Sequence, residues 1–118
     1  MNAMEINIRE NPNFVLLVSS KRKRYYIHSS GRVLSVDKRN KKSTIWLKCR
    51  NNNGTLSVRI NKREFSVLKI MIQSFYVYFI QMYGNSYRVT FINGKKDDLR
   101  LKNLYIKFGA IEHDQEIS

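Results

Sequence analysis

Two turn sequences divide the first half of the chain into short β-hairpins. Ser29-Ser30-Gly31 lies between two β-prone stretches, and Asn51-Asn52-Asn53-Gly54 lies between residues 45–50 and 55–61. Asn-Gly is a strong signal for a tight hairpin turn, because both residues tolerate a positive φ. We therefore predict a region of antiparallel hairpins over residues 13–63.

The spacing of the apolar residues changes after this region. Apolar residues then recur every three or four positions, which is typical of a helix. We predict one long central helix over residues 67–82, ended by Gly84. Apolar residues lie on nearly every side of this helix, so we expect part of it to pack against a second subunit in a homodimer.

A strand–turn–strand unit is predicted near the end of the chain. Residues 87–92 are β-prone, Asn93-Gly94 is a turn signal, and residues 97–103 can form a helical turn before a closing strand over 104–108. These patterns predict an α+β fold.

The chain length of 118 residues is typical of a single domain, which we place at 1–118. Within it, the hairpin region occupies 13–63, and the helix with the last unit occupies 64–108. The final stretch, 109–118, contains three acidic residues and no periodic apolar pattern. We predict that it is a flexible acidic tail.

Positive charge is concentrated in the hairpin region. The chain has 22 Lys and Arg against 9 Asp and Glu, which gives a formal net charge of +13. Residues 19–63 hold 14 of the basic residues and a single acid, Asp37, so this segment accounts for the whole excess. Solubility requires a net charge of only about 2 to 8. A polyanion, most simply the phosphate backbone of duplex DNA, is therefore the expected partner.

The remaining composition argues against several other classes of protein. Cys49 is the one cysteine, so the chain can form neither an internal disulfide nor a zinc-binding cysteine pair. This cysteine usage is usual in the reducing cytoplasm, where we expect the protein to be located. The sequence has no apolar stretch of about 18 residues and no signal-peptide pattern, so no membrane association is predicted.

Three segments together resemble one family of nucleases. Residues 26–35, Tyr-Ile-His-Ser-Ser-Gly-Arg-Val-Leu-Ser, resemble the Tyr-x-Val-Ser-x-x-Gly-Arg-Val-x-Ser signature of the nuclease-associated modular domain. Residues 65–75 resemble the helix that follows it, with Leu68 in place of the family's His. Residues 87–107, which include Ile-Asn-Gly and Asn-Leu, resemble the ββα-type finger of HNH endonucleases. The joint occurrence in the family's order is far more specific than any one of these motifs.

The resemblance implies that the catalytic positions of the finger have been replaced. The family's metal-ligand Asp falls on Thr90, its general-base His on Phe91 and its central Asn on Leu99, whereas Asn103 is retained. A phenyl ring cannot accept a proton from water, and magnesium prefers carboxylate ligands to a neutral hydroxyl. We therefore predict a degenerate HNH homing-endonuclease-like protein, with no catalytic residues, no metal site and no cofactor.

The leading hypothesis is a protein of phage or mobile-element type that binds duplex DNA without cutting it. One alternative is a structural or regulatory subunit that acts through protein–protein contacts. Another is a residual metal-dependent endonuclease with Asp97, Asp98 and Asn103 around a shifted ion. Aromatic residues interleaved with cations, such as Tyr25 and Trp46, leave single-stranded nucleic acid as a further partner.

The predicted DNA contacts are cations of the hairpins and of the loop in the finger. They are Lys21, Arg22, Lys23, Arg24, Arg32, Lys38, Arg39, Lys41, Lys42, Arg59, Lys62, Arg63, Lys95 and Lys96. Arg59, Lys62 and Arg63 are the candidates for contacts with base edges, and the candidates for contacts with phosphates are Lys21 to Arg24, Arg32 and Lys38 to Lys42.

Overall fold

In a computed structural model, which describes residues 3–40 and 43–109, the chain forms three antiparallel sheets and three α-helices. The α-helices are α1 (Ala3–Glu10), α2 (Val67–Phe75) and α3 (Val77–Tyr83). The strands are β1 (Phe14–Ser19), β2 (Lys23–His28), β3 (Val33–Asp37), β4 (Ile45–Trp46), β5 (Arg50–Asn52), β6 (Thr55–Ile60), β7 (Arg63–Ser66), β8 (Tyr87–Phe91) and β9 (Leu104–Phe108). The described part of the chain is elongated, with extents of 56 × 30 × 24 Å.

The first sheet has the order β1-β2-β3-β4. It confirms the hairpin predicted around Ser29-Ser30-Gly31, because β2 pairs with β3 on either side of this turn. The prediction of a strand over residues 45–50 is wrong in the length of the strand and in the strand with which it pairs. Only Ile45–Trp46 is a strand, and it pairs with β3. The N–H of Leu47 also bonds to the carbonyl of Val33 (2.8 Å), so the open edge of β3 takes up this segment.

The second sheet has the order β5-β6-β7. The predicted hairpin is confirmed at its turn, where Asn53 and Gly54 have φ values of 56° and 86°. The sequence did not predict β7, which follows a second tight turn at Asn61 and Lys62 with φ values of 50° and 66°. Lys is uncommon at positive φ, so the sequence carries no Asn-Gly-type signal at this turn.

The prediction of one long central helix is wrong, because the helix is interrupted at Tyr76. This residue has φ −122° and ψ 35°, outside the helical region, and separates α2 from α3. Its ring packs against Phe108, with the ring centroids 5.8 Å apart. The β-branched and aromatic residues of this segment have only intermediate helix propensity. The contact with β9 thus lies at the residue where the helix is interrupted, in a segment whose helix propensity opposes an interruption only weakly.

A helix that the sequence did not predict covers one face of the first sheet. Ile8 of α1 packs with Phe14 against a small core of Tyr26, Leu34 and Val36. The opposite face of the sheet, with Tyr25 and Ile27 among its residues, belongs to the main core of the molecule. Because both faces are covered, every residue of β3 is buried.

The third sheet is the hairpin of β8 and β9, and it reproduces the predicted closing strand over 104–108. Of the helical turn predicted over 97–103, a 3-10 turn at Leu101–Asn103 is present. Leu99 and Leu104 are buried in the main core together with residues of α2 and of the two other sheets. This hairpin, with the loop between its strands, is called the finger below (residues 87–108).

None of the described helices is both long enough and apolar enough to cross a membrane. The predicted acidic tail lies outside the described residues from position 110 onward.

Candidate nucleic-acid interface

Predicted DNA-binding cations gather at one end of the first sheet. The antiparallel order places the β1–β2 turn and the end of β3 at the same edge, as the pairing of Lys23 with Asp37 demonstrates. Lys21 and Arg22 lie in the turn, and Lys38 and Arg39 follow β3. Lys21, Arg22 and Arg39 are exposed, whereas Lys23 and Lys38 are half-buried.

Asp37 organises this basic end of the sheet. It is 4% exposed and accepts hydrogen bonds from the backbone N–H groups of Arg39 (2.8 Å) and Asn40 (3.1 Å) and from the guanidinium of Arg22 (3.2 Å). The two backbone hydrogen bonds, of which that from Arg39 is the stronger cause, hold the pKa of Asp37 below its ordinary value. The ammonium of Lys38 donates to the carbonyl of Ser20 and ties the two turns together.

The second sheet carries a basic face opposite its core face. Side chains alternate along β6, so Val58 and Ile60 are buried while Arg59 is exposed. Arg50 pairs with Ser57, two residues before Arg59 on β6, and therefore projects from the same face. With Lys62 and Glu64, Arg50 and Arg59 line a shallow cavity of about 230 Å³. We call these four residues the basic face of the second sheet.

Glu64 is the acid in this group and pairs with Arg59 across the strands. Its carboxylate accepts a hydrogen bond from the hydroxyl of Ser57 (2.9 Å), which fixes its position between the cations. One acid among three cations leaves the face positive, so the face suits an anionic partner that also offers hydrogen-bond groups.

The basic end and the basic face are neighbours. The hydroxyl of Tyr25 on β2 donates to the side-chain carbonyl of Asn61 in the β6–β7 turn (3.3 Å). Lys23 is two residues from Tyr25 on the same side of β2, and Lys62 follows Asn61 directly. The hydrogen bond therefore brings the turn that carries Lys62 close to β2, which begins at Lys23.

Three of the predicted residues lie elsewhere or have other partners. The guanidinium of Arg24 donates to both carboxylate oxygens of the buried Glu5 (3.0 and 3.2 Å), which gives it a structural role. Arg32 lies over the ring of Trp46, with 4.4 Å from its Cζ to the ring centroid. Arg63 is paired with Ile60, so it projects from the opposite side of the sheet to Arg59 and lines a groove against β1.

Lys95 and Lys96 are exposed in the loop of the finger, and Lys41 and Lys42 lie outside the described residues. Arg50 is a member of the basic face that the sequence prediction missed. The signal was present, because a two-residue turn at Asn53-Gly54 pairs residue 52 with 55 and hence residue 50 with 57.

The positions that correspond to the family's catalytic groups do not converge on one site. Thr90 is exposed on β8, whereas the side chain of Phe91 points to the other side and packs against the main core. Leu99 is buried in that core. Asn103 is also buried, and its amide accepts from the N–H of Asn93 (2.9 Å) and donates to the carbonyl of Asp98 (2.9 Å).

Asp98, a candidate metal ligand in the residual-nuclease alternative, is occupied by other partners. Its carboxylate accepts hydrogen bonds from the guanidinium of Arg100 (2.6 and 2.8 Å) and from the amide of Asn93 (2.7 Å). The bond from Arg100 is the main reason that the pKa of Asp98 lies well below its ordinary value. Among residues 3–40 and 43–109, no three His, Cys, Asp or Glu side chains form a group that could hold a metal ion.

Comparisons with known proteins support the nuclease-like interpretation in part. Residues 18–61 match the NUMOD4 motif, and this range contains the signature noted at 26–35. Among solved structures, the fold is similar to that of the HNH homing endonuclease I-HmuI, determined in a study of its DNA binding and cleavage, with a TM-score of 0.50 and 19% sequence identity. That likeness covers 79% of this chain and 51% of the other, so the chain spans about half the length of the endonuclease.

Among curated proteins there is no match. The chain thus has the NUMOD4 motif over residues 18–61 and a fold similar to that of an HNH homing endonuclease.

Proposed function

We propose that the protein binds duplex DNA through the basic face of the second sheet and the adjoining basic end of the first sheet, and that it does not cut the DNA. The observation that carries this proposal is the division of the second sheet. One side is packed into the core, while the other presents Arg50, Arg59 and Lys62 to solvent.

Strands that carry exposed cations can read the major groove of a DNA duplex. The major groove admits a two-stranded β-ribbon, and arginine side chains on such a ribbon can bond to guanine in a bidentate manner. We assign Arg50 and Arg59 to base edges, and Lys21, Arg22 and Arg39 at the end of the first sheet to phosphates. At about 3.4 Å per base pair, the 56 Å length of the molecule would follow about 16 base pairs.

The absence of cleavage is inferred from the chemistry of the finger. Phe91 has no group that accepts a proton. The side-chain amide of Asn103 is hydrogen-bonded to the backbone of Asn93 and Asp98. Asp98 is held by Arg100. A metal-dependent reaction would need ligands that this arrangement does not direct to one point.

The experiment that tests both parts uses a supercoiled plasmid and a labelled duplex of about 20 base pairs. With the duplex, we expect binding in EDTA that is at least as tight as in magnesium, because no bound metal is needed and magnesium competes for the phosphates. With the plasmid, we expect no nicking in magnesium or manganese after long incubation at an excess of protein. Metal-dependent nicking that Asn103→Ala abolishes would refute the inactive assignment, and failure to bind the duplex at low salt would refute the DNA-binding assignment.

A protein-contact role is supported by one feature, the outer side of α3. Tyr78 is 76% exposed and Met82 is 70% exposed, which is unusual for large apolar residues on a helix. A homodimer through residues 67–82 thus stays a prediction. Sedimentation equilibrium of the free protein tests it, since a dimer dissociated by Tyr78→Ser and Met82→Ser would support it and a monomer at high concentration would exclude it.

A further inference from the structure

A cleft of about 470 Å³ lies where the first sheet meets the finger. One wall consists of Asn13 and of residues 28–30, at the end of β2 and in the turn that follows it, and the other wall consists of residues 100–102 of the finger. The N–H of Leu101 donates to the carbonyl of Ser29 (2.7 Å), and this hydrogen bond joins the two walls. Both parts of the fold therefore build the cleft, and the proposed DNA-binding surface does not include it.

Two of the lining side chains are cations of the finger. Lys102 is exposed. The side chain of Arg100 is 47% exposed and donates from Nε and Nη2 to the carboxylate of Asp98 (2.8 and 2.6 Å), so its Nη1 group takes no part in this ion pair. Asp98 offsets much of the charge of Arg100, but the pair also fixes the direction of the guanidinium. Lys102 therefore supplies the main net charge of the cleft, and Arg100 supplies an oriented donor.

His28 adds a neutral donor to the same cleft. Its Nδ1 accepts a hydrogen bond from the backbone N–H of Ser30 (3.0 Å). A neutral imidazole has a single ring proton, which must then be on Nε2. Burial, and secondarily the nearby charge of Arg32, lower the pKa of His28, so the ring is neutral near neutral pH. The Nε2–H group is therefore the donor that this ring offers to a ligand.

The groups that the cleft offers to a ligand are mainly hydrogen-bond donors. The side-chain carbonyl of Asn13 accepts from the hydroxyl of Ser29 (3.0 Å), which leaves the NH₂ group of Asn13 as a further donor. Among the described residues, those that line the cleft include no Asp or Glu. A positively charged cleft rich in donors suits an oxyanion, and a backbone phosphate of DNA has a negative charge and oxygen acceptors.

The cleft lies at the opposite end of β2 from the basic end of the first sheet. Lys23 begins the strand and His28 ends it. At about 3.4 Å per residue, these two positions are about 17 Å apart. Because a duplex rises about 3.4 Å per base pair, this distance corresponds to about five base pairs. The two regions are thus within the length of one short duplex.

We propose that this cleft binds a phosphate of the DNA backbone without a metal ion, through Lys102, Arg100 and the imidazole of His28. The inference rests on the proposed DNA binding and adds a contact to it at the junction between the first sheet and the finger. A free phosphate ion has the same chemistry as a backbone phosphate, and an acidic protein segment offers carboxylates to the same donors. The experiments below separate these sources.

The first experiment measures the anisotropy of a labelled duplex in EDTA over a series of salt concentrations. It compares the wild type with Lys102→Gln and Lys102→Glu, and with Lys69→Gln as a control. Lys69 is an exposed cation on α2, outside the cleft, so its substitution changes the net charge equally. For Lys102→Gln we expect a several-fold larger loss of affinity than for Lys69→Gln, and a slope of log K against log salt that is shallower by about 1. Lys102→Glu should lose more affinity than Lys102→Gln.

The second experiment follows the ring of His28 by NMR, because this ring lines the cleft and the chain has only one other histidine, His113. The ring nitrogen signals of the free protein should show the Nε2–H form. In EDTA, the duplex should shift the His28 ring signals of the wild type, and Lys102→Gln should reduce that shift at the same duplex concentration. The melting temperatures of the free Lys102 variants should equal that of the wild type, because this side chain is exposed. Inorganic phosphate that shifts the same signals in competition with the duplex would support the phosphate chemistry.

The site is overturned if the Lys102 variants bind the duplex like Lys69→Gln, or if a saturating duplex leaves the His28 signals unchanged. Either result leaves the proposed function standing. If inorganic phosphate or a glutamate-rich peptide shifts the signals that the duplex does not, the cleft takes an anion other than DNA. A wild-type protein that fails to bind the duplex at low salt would refute the proposed function and this site together.

Discussion

Gly31 lies directly against Leu99, so that a Cβ atom on Gly31 would stand 3.0 Å from the carbonyl oxygen of Leu99 and 3.1 Å from its Cβ. This contact joins the β2–β3 turn to the loop of the finger. A hydrogen bond from the N–H of Leu101 to the carbonyl of Ser29 (2.7 Å) reinforces it. The glycine of the modular signature is therefore required for the close approach of the first sheet to the finger.

Substitution of Gly31 should weaken the contact between the first sheet and the finger. Gly31→Ala introduces a methyl group against backbone atoms at φ +85°, a conformation that L residues rarely adopt. Gly54→Ala is a matched control, because Gly54 has φ +86° but no atom within 4 Å of the added Cβ. We expect Gly31→Ala to lower the free energy of unfolding by about 1 to 3 kcal/mol more than Gly54→Ala, measured by urea denaturation. Equal losses would indicate that the close contact is unimportant.

The residue that the nuclease resemblance implies at position 99 should not be tolerated. Leu99→Asn places an amide in the main core, where Leu99 is 4% exposed. We expect a loss of about 2 to 4 kcal/mol in the free energy of unfolding, from lost apolar burial and a desolvated polar group. Ile92→Asn, at a position that is 67% exposed, should cost little. A stable Leu99→Asn protein would show that the finger can accommodate the polar residue.

Substitutions of Arg22 and Arg24 should have different effects. The Arg24 variant should lose stability, and the Arg22 variant should lose affinity for DNA. The side chain of Arg24 is 24% exposed and that of its partner Glu5 is 5% exposed, whereas that of Arg22 is 65% exposed. Arg24→Gln removes the guanidinium that donates to both oxygens of the buried Glu5 carboxylate, which also accepts a hydrogen bond from the Tyr26 hydroxyl (2.8 Å). We expect a loss of about 2 to 4 kcal/mol in unfolding free energy, partly recovered in the double variant with Glu5→Gln.

Arg22→Gln should have the opposite profile. The unfolding free energy should fall by less than about 1 kcal/mol, because the Arg22 side chain is 65% exposed and Asp37 keeps its two hydrogen bonds from backbone N–H groups. The affinity of the Arg22→Gln variant for duplex DNA should decrease more than the affinity of Lys69→Gln, which removes an exposed cation of α2. Loss of DNA binding in a fully folded Arg24→Gln protein, without any loss of stability, would contradict the roles assigned here.

The ion pair of Asp98 and Arg100 should make the free energy of unfolding decrease at low pH. The pKa of Asp98 is lowered in the folded state, chiefly by Arg100, so its contribution to stability is present above the ordinary carboxyl pKa of 3.8 and is lost as the pH falls below it. Asp98→Asn removes this titration. The unfolding free energies of wild type and Asp98→Asn, measured between pH 6 and pH 2.5, should therefore converge at low pH. Parallel pH profiles would contradict the coupling.

The sequence was most informative where local signals decide the structure. The turn at Asn53-Gly54 and the closing strand over 104–108 need only local turn chemistry and alternation, and both were predicted correctly. At the break in the helix, the ring of Tyr76 contacts that of Phe108, which is distant in sequence. No local pattern contains such a contact.

Long-range pairing also explains the omissions at the candidate site. The ion pair between Arg24 and Glu5 could not be predicted. The apolar pattern of α1 is weak, and the pair joins residues that are distant in sequence. In contrast, the place of Arg50 beside Arg59 follows from the turn register alone. The charge pattern indicated a basic surface, and the fold divided its cations among exposed, structural and stacked positions.

The most direct test of the central claim is the affinity of a labelled duplex for the wild type and for the Arg50→Gln, Arg59→Gln double variant, measured by anisotropy across a salt series in EDTA. The account predicts that wild-type affinity falls linearly in a plot of log K against log salt, and that the double variant binds more weakly with a slope that is shallower by about 2. An affinity that neither salt nor the two substitutions change would contradict the account.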